Sequence, residues 1–227
     1  MRKKDLKKLC EMLKHSEKHI INEAMDNDFK FSVLKQMRSF NEKVRYCRQH
    51  LGNPIGNGSS RMVFQIDDQW VLKLAKNAKG VAQNEVEGQS DWYRDSLDMF
   101  PKVEENVSDT ENWMFLVSEY VLPCKKEDFK QVLGVPFEIF CRFLYSCERC
   151  YNPRIYRSWC LTDEEFEKLQ DESEYFSQLY SYLADYGVPV GDYTRLANLG
   201  MVMRNGEPRI VFLDSGLNDE VAKMYRK

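Results

Sequence analysis

Apolar residues recur at helical spacing along the first fifty positions. Leu6, Leu9, Leu13, Ile20 and Ala24 form one stripe over residues 4–25, which Asp26-Asn27-Asp28 ends. Val33, Met37, Phe40, Val44, Cys47 and Leu51 continue as a second stripe in alternating steps of four and three. The pattern predicts an N-terminal helical hairpin over residues 1–50, each helix with a single apolar face that needs another surface to cover it. At Gly52-Asn53-Pro54 the texture changes. Met62–Ile66 and Trp70–Leu74, around the turn pair Asp67-Asp68, predict a β-hairpin entered through the glycine turn Gly56-Asn57-Gly58-Ser59-Ser60. Residues 80–97 return to helical periodicity, and Phe100–Val107 and Trp113–Val121 predict two more strands. Beyond them, Pro136 is expected as the first residue of a helix whose buried face carries Phe137, Phe140, Leu144 and Cys147. Thr162 and Glu165 form a capping box that opens one helix through Phe166, Leu169, Phe176, Leu179 and Leu183 to Gly187. Gly200–Met203 and Arg209–Leu213 flank Arg204-Asn205-Gly206-Glu207 as a final hairpin.

Composition narrows the class. Of 227 residues, 43% are hydrophobic and 13% aromatic, enough for a sizeable core and too much for wholesale disorder. No apolar run approaches the roughly 20 residues that span a bilayer, and the basic first residues lead into no signal-like apolar segment. Seven irregularly spaced cysteines then read as reduced thiols, so the expectation is a cytoplasmic protein without membrane contact. The net charge of −3 conceals an asymmetry: residues 1–50 carry +6 and the remainder −9. Basic helices ahead of an acidic body suit either docking on that body or an acidic partner.

Four segments carry candidate chemistry. In the glycine turn, Gly56, Gly58 and Ser59 let backbone N–H groups approach phosphate oxygens, with Val63 placed to cover a base or sugar. Lys73 stands in the apolar strand Val71-Leu72-Lys73-Leu74-Ala75, on the face shared by Val71 and Ala75, where an ammonium needs an anion. On the helix of residues 80–97, Glu85 falls inside the arc of Val81, Ala82, Val86, Trp92, Tyr93 and Leu97 and is the expected partner of Lys73. Glu87, just outside the arc, is the alternative. Finally, Asp192 and Asn198 on one loop, and Asp214 at the end of a strand, supply oxygen ligands of the kind a hard divalent cation takes.

In this order, glycine loop, strand Lys, helix Glu, Asp…Asn and Asp-x-Gly, residues 51–217 resemble the protein-kinase-like superfamily. The Leu72-Lys73-Leu74-Ala75-Lys76-Asn77 stretch is similar to small kinase-like proteins of bacteriophages. The resemblance implies an α+β bilobal fold: a five-stranded N-lobe with one helix over residues 51–121, and a reduced, mainly helical C-lobe over residues 122–227. ATP would bind between the lobes with Mg²⁺. It implies that Lys73 holds phosphates, that Asp192 is the base for an acceptor hydroxyl on a protein or small molecule, and that Asn198 and Asp214 bind metal. Arg195 would steady the transferred phosphate, and backbone groups of Ser118, Glu119, Tyr120 and Val121 would meet adenine.

The departures shape the function expected. Arg61 replaces the third loop glycine, and Asp192 and Asn198 stand six residues apart where five is usual. Val190 takes the place of a common His and Ser215 that of Phe, and with 11 residues after Gly216 no peptide-docking platform is expected. The leading expectation is an ATP- and Mg²⁺-dependent phosphotransferase. The alternatives are a pseudokinase or interaction module that binds nucleotide or a partner without transfer, and an enzyme that moves AMP in place of phosphate. Cys147-x-x-Cys150 with Cys141 and Cys160 matches no compact zinc set, and His15 and His19 read as surface residues.

Overall fold

The computed structural model describes residues 28–89, 97–213, 216, 221 and 224. The helix expected over residues 4–25, with His15 and His19, lies outside the described residues. The chain is α+β and divides into two compact units: a sheet unit that takes the described residues up to Gln89 and residues 101–121, and a helical unit that takes residues 97–100 and the described residues from Leu122 onward.

The sheet unit opens with α1 (Phe31–Gln36) and α2 (Phe40–Leu51). The expected single helix over Val33–Leu51 is thus broken at Met37, whose ψ of 135° is extended. The break has a local cause: Ser39 and Glu42 form a capping box, a start signal that lay inside the apolar stripe. The sheet follows as β1 (Gly56–Asn57), β2 (Arg61–Gln65), β3 (Trp70–Ala75) and β4 (Phe115–Glu119), antiparallel and in that order. Between β3 and β4 runs α3 (Ala78–Gly88).

Alternation gives this sheet two faces of different chemistry. Met62, Phe64, Leu72, Leu74, Phe115 and Val117 share one face, where they form a core with Phe29, Leu34 and Cys47. The basic N-terminal segment therefore completes the sheet's apolar core through its described part. Lys43, itself buried, donates from Nζ to the Leu34 carbonyl at 2.7 Å and so closes the end of α1. Arg61, Val63, Val71, Lys73, Ala75 and Leu116 lie on the other face, toward α3. Leu34→Ala should therefore cost about 2–5 kcal/mol, whereas Val33→Ala on the exposed side should stay within about 0.5 kcal/mol. Denaturant midpoints measure both, and equal losses would contradict the packing of α1 on the sheet.

A fifth strand over Phe100–Val107 is not formed. That segment contributes a single bridge, Val103 to Ser118. Pro101 lacks an N–H to donate, and the Ser108 hydroxyl accepts the Val117 N–H at 2.9 Å where a strand carbonyl would otherwise serve.

The helical unit contains α4 (Lys126–Val132), α5 (Phe137–Tyr151), α6 (Asp163–Glu172) and α7 (Glu174–Tyr186), with a three-stranded sheet in the order β5 (Leu122–Pro123), β6 (Leu199–Arg204), β7 (Glu207–Phe212). Pro136 is the N-cap of α5 rather than its first residue. The long helix expected from Thr162 to Gly187 is two helices, broken at the extended Ser173. The break lets exposed α6 fold back on buried α7, with the Phe166 and Tyr180 rings edge to face at 5.6 Å. Gly187 ends α7 at φ 60°, and Asn205-Gly206, both at positive φ, make the two-residue turn of the β6–β7 hairpin. No helix among the described residues is long and apolar enough to cross a membrane.

Candidate functional site

In the sheet unit the site grows from the register of three strands. Val63, Lys73 and Leu116 stand side by side across β2, β3 and β4, so Lys73 is central in the sheet. Its partner is Glu87: Nζ lies 2.6 Å from Oε2, and both residues are buried. Glu85, the expected partner, is only half-buried and accepts from the Gln89 side chain instead. Arg61 completes the cluster, with Nη2 2.8 Å from Glu87 Oε1. Each carboxylate oxygen thus has its own cation.

Burial by itself pushes the Glu87 carboxyl up, but the Arg61 and Lys73 charges and their hydrogen bonds outweigh it and hold the group near 2. A lone buried carboxylate would be costly; this one is paired twice.

Why α3 turns this side to the sheet explains the shift from Glu85 to Glu87. Its buried residues are Gly80, Gln83, Asn84, Glu87 and Gly88, a polar and small stripe, while Val81, Ala82 and Val86 are half-buried. The sheet face offers cations and backbone groups, so a polar helix side matches it better than an apolar one. Asn84 donates to the carbonyls of Lys73 (3.3 Å) and Trp113 (2.9 Å), and accepts from Arg61 at 3.4 Å. The glycines permit the approach: a Cβ on Gly80 would stand 2.2 Å from the Ser60 carbonyl oxygen, and one on Gly88 2.2 Å from the Trp113 ring. Arg61, Gln83 and Asn84 were not among the expected site residues. The spacing of Gln83, Asn84 and Glu87 between two glycines was the available signal. Trp92 and Tyr93, also expected on this helix, lie outside the described residues.

Of the expected glycine turn, Gly56 lies in β1, and Gly58 and Ser59 lie in the turn between β1 and β2. Gly56 and Gly58 have no positive φ, and a Cβ at either would meet only van der Waals neighbours, at 3.4 and 3.7 Å. The fold itself does not demand glycine there. Among residues 118–121, expected to meet adenine, the Glu119 N–H donates to Lys102 O and the Tyr120 N–H to Gln69 O. Those two N–H groups are committed within the unit, while that of Val121 has no partner among the described residues.

In the helical unit, Tyr193 anchors the loop of residues 188–198: its ring is buried and stacks on Phe212 at 4.2 Å. The Val190 N–H donates to the buried Glu148 carboxylate at 3.1 Å. The six-residue interval closes through a 3-10 turn, Leu196–Asn198, with Asn198 Nδ2 donating to the Asp192 carbonyl at 3.0 Å. That bond leaves the Asn198 Oδ1 as the amide's acceptor. The Asp192 carboxylate is one-third exposed and lies 3.2 Å from the Arg195 guanidinium, which is largely in solvent. The Leu213 N–H donates to Asn198 O at 2.9 Å, so the chain one residue before Asp214 is tied to Asn198. Asp214 itself lies outside the described residues.

Elsewhere in this unit a cavity of about 240 Å³ is lined by Ser146, Arg149, Cys150, Arg157, Cys160 and Phe166, among others, and by none of the expected site residues. Among the described residues no three His, Cys, Asp or Glu are grouped to hold a metal ion. Burial pushes the Cys47 and Cys124 thiols up to about 12 and Cys141 to about 11, which keeps them protonated. No protein-family model matches this chain, and no curated protein matches it.

Proposed function

We propose that this chain is an ATP- and Mg²⁺-dependent phosphotransferase of the protein-kinase-like fold, its two units corresponding to the two lobes. The observation that carries the reading is the buried Lys73–Glu87 ion pair, held 2.6 Å apart beside a glycine loop whose glycines the fold does not require. A strand lysine fixed by a helix carboxylate is an ammonium of set position, which suits the α- and β-phosphates of a nucleotide. Val121, with its uncommitted N–H, is the hinge residue best suited to adenine.

In the helical unit the Asp192 carboxylate accepts the proton of the acceptor hydroxyl as that oxygen bonds to the γ-phosphorus. The bond from phosphorus to the β,γ-bridging oxygen breaks and ADP leaves. Asn198 Oδ1 and the Asp214 carboxylate suit a hard divalent cation, which would neutralise charge developing on the phosphate oxygens. Arg195 does not lock the base, because an exposed pair of this kind contributes at most about 1 kcal/mol. The same pair favours the second reading, nucleotide binding without transfer, if Arg195 stays on Asp192 when nucleotide is bound.

Mg-ATP should raise the melting temperature, by about 2.7 kcal/mol of added stability at one hundred times Kd. Lys73→Ala should abolish the rise yet remain folded, because Arg61 still pairs with Glu87. No thermal shift and no calorimetric heat at millimolar Mg-ATP would reject both the enzyme and the nucleotide-binding readings.

A further inference from the structure

The segment from Asn57 to Arg61 is bonded at every residue to one stretch, Lys76–Glu87. Lys76 Nζ donates to the Asn57 side chain and to Gly58 O, and Asn77 Nδ2 donates to Ser59 O. The Lys76 N–H donates to Ser60 O, and the Ser60 hydroxyl donates to buried Gln83. Arg61 closes the series on Asn84 and Glu87. Of these contacts, the side-chain bonds of Lys76 and Asn77 are exposed, whereas Ser60, Arg61, Gln83, Asn84 and Glu87 are all buried. The strength of the connection therefore sits at Arg61, a charged fork shared between two helix side chains.

We propose that Arg61 is a positioning residue that joins the glycine loop, Glu87 and Lys73 into one preorganised phosphate-binding unit. The inference rests on the phosphotransferase or nucleotide-binding reading and deepens it. Because Arg61 occupies Oε1 and Lys73 occupies Oε2, the carboxylate keeps a cation when Lys73 turns toward phosphate oxygens. Lys73 is thus able to engage phosphate without stranding a buried charge. The loop it serves is held in place beforehand, so less ordering accompanies binding. Arg61 acts through Glu87 and the loop; adenine recognition does not involve it.

The test separates phosphate from base recognition. Calorimetry is run with Mg-ATP and with adenosine on the wild type, Arg61→Ala and Arg61→Lys. Arg61→Ala should weaken Mg-ATP at least about tenfold and adenosine less than about twofold, and Arg61→Lys, which restores a cation at Oε1, should recover most of the loss. If Arg61→Ala does not fold, Arg61→Gln keeps a donor toward Glu87 without the charge, and the Mg-ATP loss should persist in it. A folded Arg61→Ala or Arg61→Gln that binds Mg-ATP as the wild type does overturns the proposal alone. Equal weakening of Mg-ATP and adenosine also overturns it, since that marks a general structural defect. A wild type that binds no Mg-ATP removes the underlying reading instead.

Discussion

Glu87→Ala is expected to cost the sheet unit about 3–5 kcal/mol, because it leaves two buried cations without the carboxylate they share. Glu85→Ala, two residues earlier on the same helix, should stay within about 0.5 kcal/mol, since Glu85 is half-buried and its carboxylate accepts an exposed hydrogen bond from Gln89. Chemical denaturation of the two variants measures the contrast. The same carboxylate gives an acid signature. Its native pKa is depressed from 4.5 to about 2, so its contribution is complete above 4.5 and is lost as pH falls from there toward 2. For a shift of that size the contribution is on the order of 3 kcal/mol. Glu87→Gln, which does not titrate, should lose that component of acid sensitivity. Equal stability of the Glu87 and Glu85 variants would show that the buried cluster is not what holds α3 to the sheet.

Asp192→Asn should abolish phosphoryl transfer and leave Mg-ATP affinity nearly unchanged. The asparagine amide keeps the size of the side chain but cannot take the acceptor proton, a step that needs the carboxylate within about 2.6–3.2 Å of the hydroxyl. The Asp192 bond that shapes the loop uses its backbone carbonyl, to Asn198 Nδ2, and survives the substitution. Steady-state kinetics and calorimetry on the same preparation make the comparison. Transfer at the wild-type rate would remove Asp192 from the base role; loss of binding would assign it to the nucleotide site instead.

Much of the scaffold was legible in the sequence because local signals coincide with it. The β2–β3 hairpin, the Thr162 capping box and the Asn205-Gly206 turn are set by residues adjacent in the chain, and they form where expected. The face on which Lys73 lies followed from strand alternation. What failed was periodicity that crosses a local break. Ser39 and Ser173 each interrupt an apolar stripe that looks continuous, because a helix can restart in register with a neighbouring core. The choice of Glu85 over Glu87 failed for a different reason. Apolar residues ordinarily mark the buried side of a helix, yet that side of α3 is polar because the sheet opposite it presents Arg61 and Lys73. Recognising this needs the pairing of strands distant in sequence, which the helix pattern alone does not contain. Arg61, marked only as a departure from glycine, proved to be an ion-pair partner through the same long-range geometry.

Incubation with Mg-ATP labelled separately on the α- and γ-phosphates tests whether this chain transfers the terminal phosphate of ATP. Label should pass from the γ-position to the chain itself, a protein or a small acceptor in a lysate. No α-label should be transferred, and Asp192→Asn should transfer neither. Transfer of α-label alone would make the reaction AMP transfer and contradict phosphoryl transfer. Absence of both, in a protein that binds Mg-ATP, would contradict catalysis and leave nucleotide binding as the function of the Lys73–Glu87–Arg61 cluster.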